Sequence, residues 1–273
     1  MGRIKHIYLL PVMLLFCLTT LAAQDTALQL KLTKVVPGSY TGFYVDNFSN
    51  IYLLTKTNQV KKLDDKYDSA AVFNDVRRYG DIYSLDVSNP LKIVVYYRDF
   101  NTILILDRFL NTRNTIDLRK SGILQAKAVA QSYDNNYWVF DELDNKIKKL
   151  DDNGNILLES ADFRVLFGEQ YDPTQIIDND GLLYLYDAKN GWLVFDYYGA
   201  LKQRIQVKGW KDVQVATANV QGRDDTYLYF ANPKMLDIKQ VKTNINLAPV
   251  IKLQKINNKL LVLTGDGLCI YSL

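Results

Sequence analysis

The side chains that could do chemistry here carry oxygen or a cationic nitrogen, and imidazole is nearly absent. The 273 residues hold one histidine, His6, and two cysteines, Cys17 and Cys269. His6 and Cys17 fall in an N-terminal stretch that reads as a removable leader, which leaves Cys269 alone in the body. Cys269 lies in an apolar run and reads as a small buried hydrophobe. A body without imidazole excludes a Ser-His-Asp or Cys-His nucleophile system and every zinc site that needs histidine. What remains is carboxylate, Lys or Tyr acid–base chemistry, or a hard cation held by oxygens. Asp86, Asp178 and Asn219 lie near the ends of expected inner strands and are the residues that could converge on such a cation. Their spacing is not distinctive, and no cofactor is expected.

Recognition is the other chemistry on offer. Four connections carry an aromatic residue: Tyr40, Tyr79, Tyr171 and Trp210, with Arg78 and Lys211 beside two of them. Aromatic rings next to Arg and Lys are common material for interface hot spots. These six residues form the expected binding face; the alternative is that the rings pack between neighbouring units. The Asp-rich runs at 151–155 and 178–181 lack the alternating twelve-position spacing of a calcium loop. Turn chemistry alone explains their Asp, Asn and Gly.

The elements that position these groups follow from a repeat. Six copies of one phrase begin near Asp46, Ser88, Tyr133, Asp178, Gly222 and Ile256. Four end on an apolar residue followed by Asp64, Asp107, Asp151 or Asp196, spaced 43, 44 and 45 residues apart. Such a period marks a stack of small sheets. In the third copy, residues 126–130 read as a small-residue inner strand and 137–140 as a buried strand. Residues 146–150 alternate as a half-exposed strand, and 156–159 form the outer one. The equivalents of 137–140 are expected at 51–54, 93–96, 183–186, 227–230 and 260–263. The fifth copy leaves little room for an outer strand, and only residues 161–168 suit a helical turn.

Four antiparallel strands per copy, six times over, give an all-β, six-bladed β-propeller. The sixth copy lacks its outer strand, and residues 28–35 alternate without a repeat of their own. That N-terminal strand is expected to complete the last sheet and close the ring.

The repeats resemble those of the NHL, YWTD and TolB-like propeller families. Residues 46–53 and 178–185 are similar to the NHL turn-and-strand, and Tyr137-Trp138-Val139-Phe140-Asp141 resembles a degenerate YWTD. The resemblance implies the fold and carries no catalytic signature.

Arg3 and Lys5, an apolar run to Ala23 and the small residues before Gln24 read as an export signal cleaved near residue 24. Residues 25–273 then form a single propeller domain. Without Arg3 and Lys5 the 33 basic residues fall to 31 against 30 acidic ones, a net charge of +1 in place of +3. Near-neutral charge argues against nucleic acid as partner. No later run is long and apolar enough to span a bilayer. The sequence is thus read as an exported, non-enzymatic propeller, periplasmic, envelope-associated or secreted, that binds a protein, as a monomer or within an envelope complex. The rivals are a cation-dependent gluconolactonase-like or sugar-lyase-like enzyme and a small-ligand or glycan binder.

Overall fold

The computed structural model describes residues 27–74, 78–217, 219–232 and 237–273. The expected leader, residues 1–24, lies outside the described residues. Strand β1 (Lys31–Pro37) comes first. Blade 1 contains β2 (Tyr40–Val45), β3 (Ile51–Thr55), β4 (Val60–Leu63) and β5 (Ser69–Phe73). Blade 2 contains β6 (Ser84–Asp86), β7 (Lys92–Tyr97), β8 (Thr102–Asp107) and β9 (Thr112–Asp117). Blade 3 contains β10 (Ala126–Gln131), β11 (Tyr137–Asp141), β12 (Lys146–Leu150) and β13 (Ile156–Glu159). A single-turn helix, α1 (Phe163–Phe167), leads into blade 4: β14 (Gln175–Asn179), β15 (Leu182–Asp187), β16 (Gly191–Asp196) and β17 (Leu201–Ile205). Blade 5 contains β18 (Lys211–Ala216), β19 (Asn219–Arg223), β20 (Leu228–Asn232) and β21 (Asp237–Val241). Blade 6 contains β22 (Lys252–Ile256), β23 (Lys259–Thr264) and β24 (Gly267–Ser272), with β1 as its fourth strand.

Each blade is an antiparallel four-stranded sheet, and the six form a ring closed by β1 against β24. The helical turn falls where expected, capped by the Asp162 side chain at its start and by Gly168 at its end. Blade 5 differs from the sequence reading. Residues 227–230 fall on the third strand, because the second is β19, and an outer strand, β21, is present. The composition of β19, Asn-Val-Gln-Gly-Arg, is a poor strand signal, so the tyrosine-rich run after it drew the assignment.

The core is divided into six apolar clusters, one between each pair of neighbouring blades. Tyr52 and Leu54 of blade 1 meet Ile93 and Val95 of blade 2 in one of them. Phe43, Ile51 and Leu53 of blade 1 meet Leu261 and Ile270 of blade 6 in another. A middle strand is therefore covered on both faces, which is why β3, β8 and β11 are buried along their whole length.

The recurring aspartates fold the outer hairpins. The carboxylates of Asp64, Asp107, Asp151 and Asp196 each accept backbone N–H groups two and four residues on, at 2.8–3.0 Å. The turn also needs a left-handed residue. Gly154 and Gly199 supply it in blades 3 and 4, whereas Tyr67 and Leu110 hold φ 71° and 66° in the same place. Hydrogen bonds to Asn155 and its backbone hold the Asp151 carboxyl below its ordinary value, and Lys202 with Ala200 N–H does the same for Asp196.

A carboxyl with a depressed folded-state pKa adds stability above its unfolded value, 3.8 here, and loses it as pH falls through the folded value. We expect D151N/D196N to flatten the fall in urea-unfolding stability on acidification from about pH 4 to about pH 2. An unchanged acid slope contradicts the turn role.

Candidate functional site

The inner strands all run the same way along the central channel, so the ring has two unlike ends. At the upstream end, connections enter the inner strands; at the downstream end lie the hairpins that follow them. A cavity of about 700 Å³ opens downstream between blades 2, 3 and 4, with Asn47 of blade 1 at its edge. A second space of about 220 Å³ continues into the channel and shares Ser88, Gln131 and Asp178 with the first.

Asp178, near the end of β14, anchors this site. Its carboxylate accepts hydrogen bonds from Ser132 Oγ (3.1 Å), Tyr133 N (3.3 Å), Trp138 Nε1 (3.0 Å) and the Tyr197 hydroxyl. Burial, and then this bond to Asp178, pushes the Tyr197 phenol well above its ordinary value. The Tyr197 ring stacks on Tyr133 with centroids 4.6 Å apart, and Lys149 Nζ lies 4.7 Å from the centre of Trp138. Lys149 also pairs with Asp134 at 2.7 Å. Burial opposes ionisation of Asp134, but the hydrogen bond from Lys149 holds its carboxyl below the ordinary value. Tyr133, on the hairpin after β10, stays 68% exposed above this stack.

The remaining lining is polar and acidic. Asp86 accepts Ser88 N–H at 2.8 Å and Gln131 N–H at 2.7 Å. Asn89, Asn179 and Asp180 complete the rim, and no described residue lining either space is Lys, Arg or His. Around the mouth the same end carries exposed Phe48, Leu91, Phe109 and Tyr198 on hairpin tips. The upstream end also carries exposed Phe100, Leu124, Leu143 and Val165, so it is the combination of apolar tips with the cavity that distinguishes the downstream face.

The six residues of the expected binding face lie at the other end. Tyr79, Tyr171 and Trp210 are buried between blades, and at Tyr171 and Trp210 a polar group of one blade latches the connection into the next. Asn145 accepts Tyr171 N–H and donates to Tyr171 O, the Tyr186 hydroxyl accepts Trp210 N–H at 2.6 Å, and Trp210 stacks on Tyr229. In the next link Arg223, paired with Asp212 at 2.6 Å, donates to Leu247 O and Val250 O. Tyr79 packs against Tyr97, with exposed Arg78 over its ring. Tyr40 is half-buried and donates to Pro37 O, and exposed Lys211 pairs with Asp225.

Of the three candidates for a cation, Asp86 and Asp178 line the same channel. Asn219 opens the second strand of blade 5 and lines neither space. Among the described residues no group of three or more His, Cys, Asp or Glu side chains could hold a metal. Gln131, Tyr133 and the exposed tips were missed by the sequence reading, although Phe48, Leu91 and Tyr133 were detectable as large apolar residues inside turns.

Fold and comparison together define the chain as a six-bladed β-propeller. No protein-family model matches it, and no curated protein matches it. Among solved structures, 1050 chains match, so the likeness by itself does not select a function. A catalytically inactive histidine-to-alanine variant of virginiamycin B lyase from Staphylococcus aureus, with quinupristin, is 13% identical at a TM-score of 0.60. That match covers 89% of this chain and 98% of the lyase. The Pan2 WD40 domain of Neurospora crassa is 13% identical at a TM-score of 0.58, covering 88% of this chain and 78% of that one. The extracellular domain of a hybrid two-component system from B. thetaiotaomicron is also 13% identical, at 0.60, over 88% of this chain and 34% of that one.

Removing a ring from the upstream end should be felt as lost stability. W210A is expected to cost about 3–5 kcal/mol in urea unfolding, and R78A and K211A less than about 0.5 kcal/mol each. A Trp210 variant that stays within about 1 kcal/mol of the parent contradicts the packing role.

Proposed function

We propose that this chain is an exported, non-enzymatic propeller that binds a protein partner through the downstream end of its ring. The observation that carries the reading is the pairing, on one face, of a polar cavity of about 700 Å³ with a surround of exposed Phe48, Leu91, Phe109, Tyr133 and Tyr198. Apolar anchors around a pocket that fixes register are the usual anatomy of a protein-binding site. Export is supported by the basic start, the apolar run and the small residues ahead of Gln24. The upstream aromatics belong to blade packing, so recognition moves away from Tyr40, Tyr79, Tyr171 and Trp210.

The non-enzymatic reading rests on the residues of the channel. Asp178 has protein donors on both carboxylate oxygens, and Asp86 accepts two backbone N–H groups, so neither stands as an uncommitted base. The lyase that shares this fold is inactive when its histidine is replaced by alanine. This chain has no histidine after His6.

Site-specific photo-cross-linking in the producing cells tests the face. A photoreactive phenylalanine at Tyr133 or Tyr198 should capture a discrete protein, and one at exposed Val165 on the upstream side should not. Equal labelling from both sides, or none from Tyr133 and Tyr198, contradicts the proposal.

A further inference from the structure

Gln131 is an anomaly in the site. Its residue is only 4% exposed, yet neither the amide nitrogen nor the amide oxygen has a hydrogen-bond partner. A buried amide with both atoms unpaired is unusual and costly. It stands at the last position of β10 and lines both the mouth and the channel.

The lining around it is acidic, and the cation beside the rim, Lys149 over the Tyr133 and Tyr197 rings, is neutralised by Asp134. Asp86, Asp178 and Asp180 line the connected spaces, and none forms an ion pair with a described residue. The other polar lining is neutral, from amides such as Asn89, Gln175 and Gln254. Carboxylates gathered in a cleft attract cations and repel anions. A bare metal ion is poorly served, since no described trio of acidic, Cys or His side chains converges. An organic cation on a slender stem fits better: the head reaches carboxylate and amide oxygens at the bottom, and the stem lies along the Tyr133 and Tyr197 rings at the rim.

We infer that the mouth and channel receive a basic side chain, Lys or Arg, from the protein partner, with the Asp86 carboxylate and, once its side chain turns into the channel, the Gln131 amide oxygen as acceptors. This rests on the proposed protein-binding face. It adds a specificity rule to that face: the partner presents a basic residue, flanked by apolar ones that meet Phe48 and Leu91.

Ligand-observed NMR with Ac-Gly-Lys-Gly-NH₂, Ac-Gly-Arg-Gly-NH₂ and the neutral norleucine peptide tests it. At least one basic peptide should bind about tenfold more tightly than the norleucine peptide, the difference a charged hydrogen bond makes. Q131M should abolish that difference without lowering Tm, because it removes an amide with no partner in the fold. D180N, on the exposed rim, should weaken the basic peptides and leave folding intact. Equal binding of basic and neutral peptides, an unaffected Q131M, or a Tm raised by CaCl₂ alone while neither peptide binds overturns the inference. Cross-links from Tyr133 without peptide discrimination overturn it and leave the binding face standing; losing both removes the face as well.

Discussion

Everything in this molecule depends on joining its two ends. A blade buries both faces on its neighbours, so an open array would leave an apolar face and a strand edge in water at each end. Closure comes from β1 on β24, with Val35 opposite Cys269 and Pro37 opposite Gly267. The approach is close: a side-chain carbon on Gly267 would sit 2.5 Å from Val36 O, so glycine is required there. Asn244 adds a clamp by accepting Leu30 N–H and donating to Leu30 O, and Leu28 bridges to Thr243 beside it. The first described residues are thus held by blades 5 and 6, and the last strand by the first.

Closure makes one channel with two different ends. Upstream, Asn145, Tyr186 and Arg223 spend their polar groups on the connection into the next blade. The rings of Tyr79, Tyr171 and Trp210 are drawn into the interblade core there, while Phe100, Leu124 and Leu143 stay exposed at the same end. Downstream, the hairpins are folded by their own aspartates and ask nothing of their tips. That independence leaves Phe48, Leu91, Tyr133 and Tyr198 exposed on a rigid frame. Lys92 steadies the frame across blades 2 and 3, donating to Asn135 O and Asp152, each at 2.7 Å.

Much of this was legible in the sequence because the repeat is written in turn chemistry. The aspartates at 64, 107, 151 and 196 mark the outer hairpins of blades 1 to 4, whose geometry they create, and their spacing sets the period that extends to blades 5 and 6. The closing strand was legible from one unmatched alternating segment and one missing outer strand, although it runs from Lys31 to Pro37 and not from residue 28. Blade 5 was misplaced because Gly222 and Arg223 give β19 no strand-like composition, while its stability comes from Arg223 reaching into the next blade. The site was harder. Aromatic content does not say which end of a strand faces solvent, and Tyr171 and Trp210 look like surface residues until their latches are seen. Gln131 carries no local signal at all, since its significance lies in the partners it lacks.

The most direct measurement of ring closure uses the cysteine already in β24. In a C17S chain, V35C places a second thiol opposite Cys269, and antiparallel register partners lie within the Cα separation a disulfide spans. A closed ring requires that the native protein form this bond intramolecularly under mild oxidation. The oxidised form should then be more stable than the reduced form by about 2–4 kcal/mol. A bond that forms only in denaturant, or only between molecules, would show that β1 and β24 do not meet.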